Sequence, residues 1–252
     1  MTRPIVCSIG TTDPWNAAGL GLDQRTLWEC GARPVSVVTS VSAQDKRGLH
    51  AVAAVDPDLI FAQWQSLREA PVAAVRIGAL TGAVTVEAIA AIVSRVTVPV
   101  VYDPVLRPTA GGSFADDATI DAIRTRLLEK VSICTPNLEE AERLTGIRVN
   151  STDQMESAGR SLLSTGVRAV LVTGGHRVGD PVDVLVDGAN VTTFSAPRIG
   201  LTMRGSGCVL AAALAAFLAR QRPLRDAIEQ ARAYVRDKIG SAQSLGDMYL
   251  AR

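Results

Sequence analysis

Short runs of β-branched residues alternate along this chain with longer segments of helical periodicity. The runs predict strands at Ile5–Ile9, Pro34–Val41, Val72–Ile77, Val98–Tyr102 and Val131–Cys134. Alternation of short buried strands with helices is typical of a mainly parallel sheet covered by helices on both faces. The pattern therefore predicts an α/β fold, a three-layer αβα sandwich.

The later part of the chain departs from this alternation. Three predicted strands, Arg168–Val172, Val182–Val186 and Asn190–Phe194, follow one another with only turns between them. Connections this short join antiparallel strands, so we expect an antiparallel edge on the sheet. Two helices, Gly205–Arg220 and about Pro223–Lys238, are predicted to complete the chain.

The composition argues against several classes of protein. With 26 basic and 25 acidic side chains among 252 residues, the formal charge is +1, which gives no support for binding nucleic acid. No apolar run reaches the roughly 18 residues of a membrane span, and no signal peptide is evident. Four widely spaced cysteines indicate a reducing, cytoplasmic setting rather than disulfides or zinc. We expect a single domain over residues 1–252.

The segment Gly205-Ser206-Gly207-Cys208 opens the most alanine-rich helical stretch of the chain. Backbone N–H groups at a helix start lack intrahelical partners, and the helix dipole favours negative charge there. The segment therefore predicts a phosphate site. The dipole is also expected to lower the pKa of the Cys208 thiol and so to make it a candidate base, although a small buried hydrophobic residue is the alternative interpretation.

Polar residues gather where the predicted strands end, which is where open α/β sheets bind ligands. They are Gly10–Asp13 leading to Asp23, Ser42–Asp45, Asp103, and Asn137 with Glu140. A carboxylate such as Asp103 can hold a hydrated Mg²⁺ near phosphates; a turn or cap aspartate is the alternative. Asn137 and Glu140 share one face at a helix start, where they fit a capping box equally well.

The glycine pair Gly174-Gly175 and the two histidines are weaker signals. Most such pairs form ordinary turns. His50 and His176 lie far apart, with no metal-binding or Ser-His-Asp signature around them. The position of His176 beside the glycine pair is compatible with a nucleotide site.

Taken together, these segments resemble the hydroxymethylpyrimidine/phosphomethylpyrimidine kinases of thiamine biosynthesis, within the ribokinase-like superfamily. The resemblance covers nearly the whole chain in order. It is carried by Gly10–Asp13, Ala18-Gly19, Asp23, Ala43-Gln44, Tyr102–Val105, Thr135–Leu138, Glu140–Glu142, Gly174–His176, Val182–Leu185 and Gly205–Cys208. Cysteine at position 208 is typical of the pyrimidine kinases, whereas the sugar kinases of the superfamily usually have aspartate there.

The resemblance implies a kinase that uses ATP and Mg²⁺ to phosphorylate the hydroxymethyl group of 4-amino-5-hydroxymethyl-2-methylpyrimidine; the family can act again on the monophosphate. Implied in catalysis are Cys208 as base and the anion hole Gly205, Ser206 and Gly207. Implied in substrate binding are Asp23, Gln44, Trp15, Gly19 and Ala79. Asn137, Thr173, Gly175 and Arg204 are expected at the nucleotide, and Asp103 and Glu140 at Mg²⁺.

The chain departs from the family pattern at five positions. Trp15 lies in a stretch that is usually rich in serine and glycine, and Ala79 replaces the usual methionine. Lysines are usual where this chain has Thr109 and Thr173, and Arg204 replaces a histidine. Because arginine can bind phosphate with a fork of donors, we expect Arg107 and Arg204 to supply part of the missing positive charge.

Two other functions stay open at this point. The first is a pyridoxal or pyridoxine kinase, since related members phosphorylate those alcohols. The second is a weakly catalytic protein that binds a pyrimidine phosphate, which the missing lysines would suit. The resemblance also implies a homodimer.

Overall fold

The computed structural model describes residues 2–108, 111–175, 179–245 and 248–251. One nine-stranded sheet runs through this part of the chain. Its strands are β1 Ile5–Thr12, β2 Arg33–Asp45, β3 Gly48–Ala54, β4 Val72–Ile77, β5 Val100–Tyr102, β6 Ile133–Cys134, β7 Ala169–Val172, β8 Val182–Asp187 and β9 Asn190–Ser195.

The strands lie in the order β3-β2-β1-β4-β5-β6-β7-β8-β9. The six from β2 to β7 in this order are parallel. At one edge β8 and β9 continue the sheet by antiparallel pairing, and at the other β3 pairs antiparallel with β2. The predicted mainly parallel sheet with an antiparallel edge is therefore confirmed.

Helices cover both faces of the sheet, as expected from the alternating sequence. They are α1 Gly19–Glu29, α2 Pro57–Gln65, α3 Ala83–Val93, α4 Asp117–Ala122, α5 Leu138–Thr145, α6 Thr152–Leu163, α7 Ser206–Ala219 and α8 Leu224–Gly240. One apolar cluster holds residues of α2 to α6, and a second holds residues of α1, α7 and α8. None of the described helices is long and apolar enough to cross a membrane.

Two parts of the fold differ from the prediction. The strand predicted to end at Val41 continues to Asp45 and pairs with β3, so Ser42–Asp45 belong to a strand rather than to a loop. Polar and small residues in β3 hid this edge, because half of such a strand faces solvent. A short antiparallel pair, β10 Gln243–Leu245 and β11 Met248–Leu250, also follows α8 and was missed.

The connectivity of the sheet brings the candidate residues to one place. Strands β2 and β4 lie on opposite sides of β1, so the chain changes direction there, and such a switch point leaves a crevice beyond the carboxyl ends of the strands. Helix α7 packs against β1, β4 and β5. Its alanine-rich sequence lets Cys208–Ala216 lie buried within the protein, and its first turn reaches this edge of the sheet.

Candidate active site

Asp103 follows β5 directly and is buried at this edge. Its backbone N–H donates to the carbonyl oxygen of Ile77 across 2.9 Å, which extends the pairing of β5 with β4 by one residue. Its carboxylate Oδ2 accepts a hydrogen bond from Nη2 of Arg76, also at 2.9 Å. The carboxyl group is thus held by a cation that lies within the sheet.

Arg76 is a site residue that the sequence analysis missed. It lies inside β4, its side chain is 1% exposed, and its Nη1 is 2.9 Å from Oδ2 of Asp23. Arginine is almost never fully buried unless it is paired, so an arginine in the otherwise apolar run Val72–Ile77 was a usable signal. Gly78 makes room for it, because a methyl group there would overlap Nη1 of Arg76.

Asp23 lies in α1, where its carboxyl group is fully buried and forms hydrogen bonds with neighbouring side chains. Its Oδ2 accepts from Oγ of Ser8 at 2.6 Å in addition to Arg76. Burial raises the pKa of Asp23 to about 6, although Arg76 and Ser8 lower it. Burial likewise raises the pKa of Asp103, against the opposing effect of Arg76. One guanidinium therefore balances two desolvated carboxyl groups.

The Cys208 thiol lies against the same cluster. It makes hydrogen-bond contacts with the Asp103 carboxylate, the Arg76 guanidinium and the N–H of Gly19. The expected lowering of its pKa is wrong. Burial raises the pKa of Cys208 to about 12, and the nearby Asp103 and Asp23 add to the rise while Arg76 opposes it. Desolvation of the thiolate outweighs the dipole of α7 here.

The residues before Cys208 bring backbone close to both Asp103 and the β1–α1 loop. Gly205 has a φ of +78°, and a methyl group there would overlap the carbonyl oxygen of Ala17. A methyl group at Gly207 would lie 3.7 Å from Oδ1 of Asp103. Ser206 is the first residue of α7, and the N–H of Val209 already donates to the carbonyl oxygen of Gly205. The N–H groups of Ser206, Gly207 and Cys208 are therefore the ones that this helix start leaves without intrahelical partners.

Asn137 and Glu140 form the capping box at the start of α5. The Asn137 side chain accepts from the N–H of Glu140 at 3.0 Å, and the Glu140 carboxylate accepts from the N–H of Asn137 at 2.8 Å. The interpretation of this pair as a capping box is thus confirmed. Glu140 is also buried, and both burial and Asp103 raise the pKa of Glu140 well above its usual value. The pair therefore caps a helix, and its Glu140 carboxyl also lies close enough to interact with Asp103.

The ends of β6 and β7 place Thr173 beside Asn137. The two residues form a parallel bridge, and the N–H of Thr173 donates to the carbonyl oxygen of Pro136 at 2.9 Å. The next residue, Gly174, donates its N–H to Asp183 at 2.9 Å, and the carbonyl oxygen of Gly175 accepts from Arg198 at 3.1 Å. His176 and Thr109 lie outside the described residues.

Two residues expected at different ligands contact each other. Nη2 of Arg204 donates to Oε1 of Gln44 at 2.8 Å. We expect Arg204 at the nucleotide and Gln44 at the pyrimidine, and the structure brings these two side chains into contact. Trp15 is 47% exposed in the β1–α1 loop, and Ala79 is buried just beyond β4.

Comparisons with known proteins agree with this geometry. A profile of the phosphomethylpyrimidine kinase family matches residues 13–251. The chain belongs to this family. A hydroxymethylpyrimidine/phosphomethylpyrimidine kinase of Streptomyces coelicolor is 34% identical over 248 residues, which cover 98% of this chain and 92% of that protein. The Escherichia coli protein of the same name is 35% identical, over 97% of this chain and 94% of its own.

Solved structures support the same assignment. Phosphomethylpyrimidine kinase from Clostridium difficile 630 superimposes with a TM-score of 0.83 at 26% identity, over 93% of this chain and 99% of that one. The ADP complex of pyridoxal kinase from Bacillus subtilis gives a TM-score of 0.91 at 26% identity, over 99% and 97%. As a phosphomethylpyrimidine kinase family member, the chain is a phosphotransferase with a ribokinase-like fold, and family membership implies the use of ATP.

The carboxyl groups of Asp103 and Glu140 fit a magnesium ion whose remaining ligands would be phosphate oxygens and water. Among the described residues, no cluster of three or more histidine, cysteine or carboxylate side chains could hold an ion. Mg²⁺ in kinases keeps several waters and needs only one or two carboxylates besides the phosphate oxygens. Asp103 and Glu140 supply two buried carboxyl groups, and Asp103 raises the pKa of Glu140, as expected where a cation would relieve repulsion.

Proposed function

We propose that this protein is the ATP-dependent kinase of 4-amino-5-hydroxymethyl-2-methylpyrimidine in thiamine biosynthesis and that it also phosphorylates the monophosphate. The observation that carries the proposal is the meeting of the Cys208 thiol and the Asp103 carboxylate at the first turn of α7. A candidate base, a carboxylate suited to Mg²⁺ and an anion site are then close together, as phosphoryl transfer requires.

Each group has a role in this proposal. In its thiolate form Cys208 accepts the proton of the attacking hydroxyl, and the N–H groups that follow Gly205 hold the negative charge of the transferred phosphoryl group. Arg76 favours the thiolate, whereas burial and the two aspartates oppose it. Asp103 and Glu140 would hold Mg²⁺, and the bound ion would neutralise phosphate charge.

Substrate and nucleotide occupy opposite ends of the site in the same proposal. Asp23, Gln44, Trp15, Gly19 and Ala79 serve the pyrimidine. Asn137, Thr173 and Gly175 serve ATP. Thr173 replaces the usual lysine without its charge, so we expect weaker binding of phosphate at this end than in relatives that carry it.

A coupled assay of ADP release tests the proposal. Purified protein with MgATP is given hydroxymethylpyrimidine, its monophosphate or pyridoxal in turn, and ATP binding is measured separately on the same sample. We expect turnover of both pyrimidines. A folded sample that binds ATP and turns over neither would exclude this function.

Pyridoxal kinase is the second candidate, because solved pyridoxal kinases share the fold. The Bacillus subtilis pyridoxal kinase superimposes at a TM-score of 0.91 and the Clostridium difficile phosphomethylpyrimidine kinase at 0.83, each at 26% identity, so the fold fits both candidates. The same assay separates the two, because faster turnover of pyridoxal than of either pyrimidine would favour this candidate. Tight binding of the pyrimidine phosphate without turnover would instead favour a binding protein.

Three further features belong to the proposal. The whole chain acts as one domain in the cytoplasm, and it forms a homodimer. The edge strand β3 and the exposed apolar side chains of Val41 and Leu59 support pairing of two copies at this edge of the sheet. Sedimentation velocity at micromolar protein tests it, since a monomer at that concentration would contradict the dimer.

A further inference from the structure

Arg204 joins three chain segments around the substrate side of the site. Its side chain is 9% exposed. Nη2 lies 2.8 Å from Oε1 of Gln44 and 3.6 Å from Oδ2 of Asp13, and Nη1 lies 3.4 Å from the carbonyl oxygen of Asp45. The guanidinium therefore contacts the end of β2 and the β1–α1 loop from a position one residue before Gly205.

The amide of Gln44 is fixed at both ends by independent hydrogen bonds. The Ser42 hydroxyl donates its only proton to the carbonyl oxygen of Thr12 at 2.5 Å. That hydroxyl can then only accept from Gln44, whose Nε2 lies 3.0 Å away. At the other end, Arg204 can only donate, so Oε1 of Gln44 must face it. Both constraints give the same orientation of the amide.

This orientation determines what Gln44 can offer to a ligand. One N–H of the amide is used by Ser42, and the carbonyl oxygen is held by a cation. The second Nε2–H is the group left for a substrate, and it recognises a hydrogen-bond acceptor such as an unprotonated ring nitrogen. A neutral side chain at position 204 would remove one of the two constraints and let the amide turn over.

The same guanidinium lies beside the loop that carries Trp15. Asp13 accepts from the N–H of Trp15 at 3.2 Å and from the N–H of Ala17 at 3.1 Å, so its carboxylate shapes that loop. Arg204 is near Oδ2 of this carboxylate. One side chain thus contacts both Gln44 and the carboxylate that holds the backbone of the loop carrying Trp15.

We propose that Arg204 is a specificity-determining positioning residue, which locks Gln44 so that its free N–H meets an acceptor atom of the ring substrate. The proposal rests on the proposed kinase function for its substrate. It differs from the expectation that Arg204 binds phosphate, because it assigns the residue to the substrate and not to ATP.

Kinetics of Arg204→Met and Arg204→Lys test this role, with Arg225→Met as matched control. Arg225 is exposed on α8, where it pairs with Glu229. Loss of a charge-assisted hydrogen bond predicts that Arg204→Met raises the KM and the calorimetric Kd for hydroxymethylpyrimidine about tenfold or more. The KM for ATP should stay within about twofold, Arg204→Lys should restore part of the affinity, and the control should match the parent protein. A raised KM for ATP with unchanged pyrimidine binding would overturn the proposal, as would no change in either.

A measurement without substrate tests the lock itself. The side-chain amide of Gln44, assigned in the ¹⁵N spectrum with a Gln44→Met variant, should show slow hydrogen exchange in the parent protein and faster exchange in Arg204→Met. Equal exchange in both would overturn the lock. Because this readout needs no turnover, absence of kinase activity would exclude the proposed function alone and still leave the lock tested.

Discussion

Arg76 donates from Nη2 to Oδ2 of Asp103 across 2.9 Å, at a point where both side chains are almost completely removed from solvent. Its other terminal nitrogen bonds Asp23, so a single cation joins the residue expected at the substrate with the residue expected at Mg²⁺. The Cys208 thiol contacts the same guanidinium. The candidate site thus surrounds the buried positive charge of Arg76, which lies in strand β4.

Removal of Arg76 should leave two buried carboxyl groups without a partner. We expect Arg76→Met to lower the free energy of unfolding by about 3–5 kcal/mol, the usual cost of breaking a buried ion pair from one side. Arg76→Lys should lose less, since an ammonium keeps the charge but cannot span both carboxylates as a fork does. Urea denaturation at neutral pH measures both, and a fully stable Arg76→Met would contradict the assigned role.

The pH dependence of that loss is a second test of the same network. Burial raises the pKa of Asp23 to about 6 even with Arg76 present. A carboxyl whose pKa is raised in the folded state favours folding below its unfolded pKa and loses that contribution as the pH rises through the folded value. Without Arg76 the pKa of Asp23 should rise further, so the deficit of Arg76→Met should shrink as the pH falls towards about 6 and level off below it. A deficit that grows on acidification would contradict the network.

Cys208 should be an unreactive thiol in the free protein. Because burial raises its pKa to about 12, little thiolate exists at neutral pH. Iodoacetamide at about pH 7.5, followed by mass spectrometry, should leave Cys208 unlabelled. In turnover, Cys208→Ala should lower kcat by about 10²–10⁴ if the thiol is the base. Rapid labelling would contradict the environment described, and an unchanged rate would show that Cys208 is not the base.

Two glycines at the start of α7 form a matched pair for mutation. Gly205→Ala places a side chain in left-handed backbone and against the Ala17 carbonyl, so it should cost more than the roughly 1–2 kcal/mol of the backbone conformation alone. Gly207→Ala meets Asp103 only at ordinary contact distance, and so it should fold normally while it narrows the anion site. Thermal denaturation and kcat together separate the effects; equal stability of both variants would contradict the loop geometry.

Glu29 of α1 accepts hydrogen bonds from Tyr234 and Lys238 of α8. This contact between the two helices lies outside the candidate site and should depend on pH. Partial burial raises the pKa of Glu29, but hydrogen bonds from Lys238, Tyr234 and Arg25 outweigh it and lower the pKa to about 2. A lowered pKa contributes stability above the unfolded value of 4.5 that is lost as the pH falls towards 2. Glu29→Gln should flatten the loss of stability between about pH 5 and about pH 3. Parallel stability curves for the two proteins would contradict this contact.

Much of the fold could be predicted from the sequence because the periodicity of the buried strands is strong. The parallel strands and the β7–β9 edge fall where β-branched runs predicted them. The extension of β2 to Asp45 and its pairing with β3 could not be predicted, because Ser42, Ala43 and Gln44 show no alternation of apolar and polar residues. Pairing of this kind depends on the partner strand rather than on local preference.

Most residues of the candidate site could be predicted from their positions at strand ends, but the ion pairs that balance their charges could not. Asp103, Glu140 and the Gly205 loop lie at the predicted edge, and the order of strands brings them together. Arg76 was overlooked because its meaning comes from two partners that are 53 and 27 positions away in the chain. The opposite pKa shift of Cys208 has the same origin, since desolvation depends on what the fold packs around the thiol.

The direct test of the central claim is identification of the product made from hydroxymethylpyrimidine and MgATP. We predict that mass spectrometry detects the pyrimidine with one added phosphoryl group, then with two, in step with ADP release, and that Asp103→Asn abolishes both. ADP formation at the same rate without substrate, or with no phosphorylated pyrimidine in a sample that binds ATP, would contradict the account.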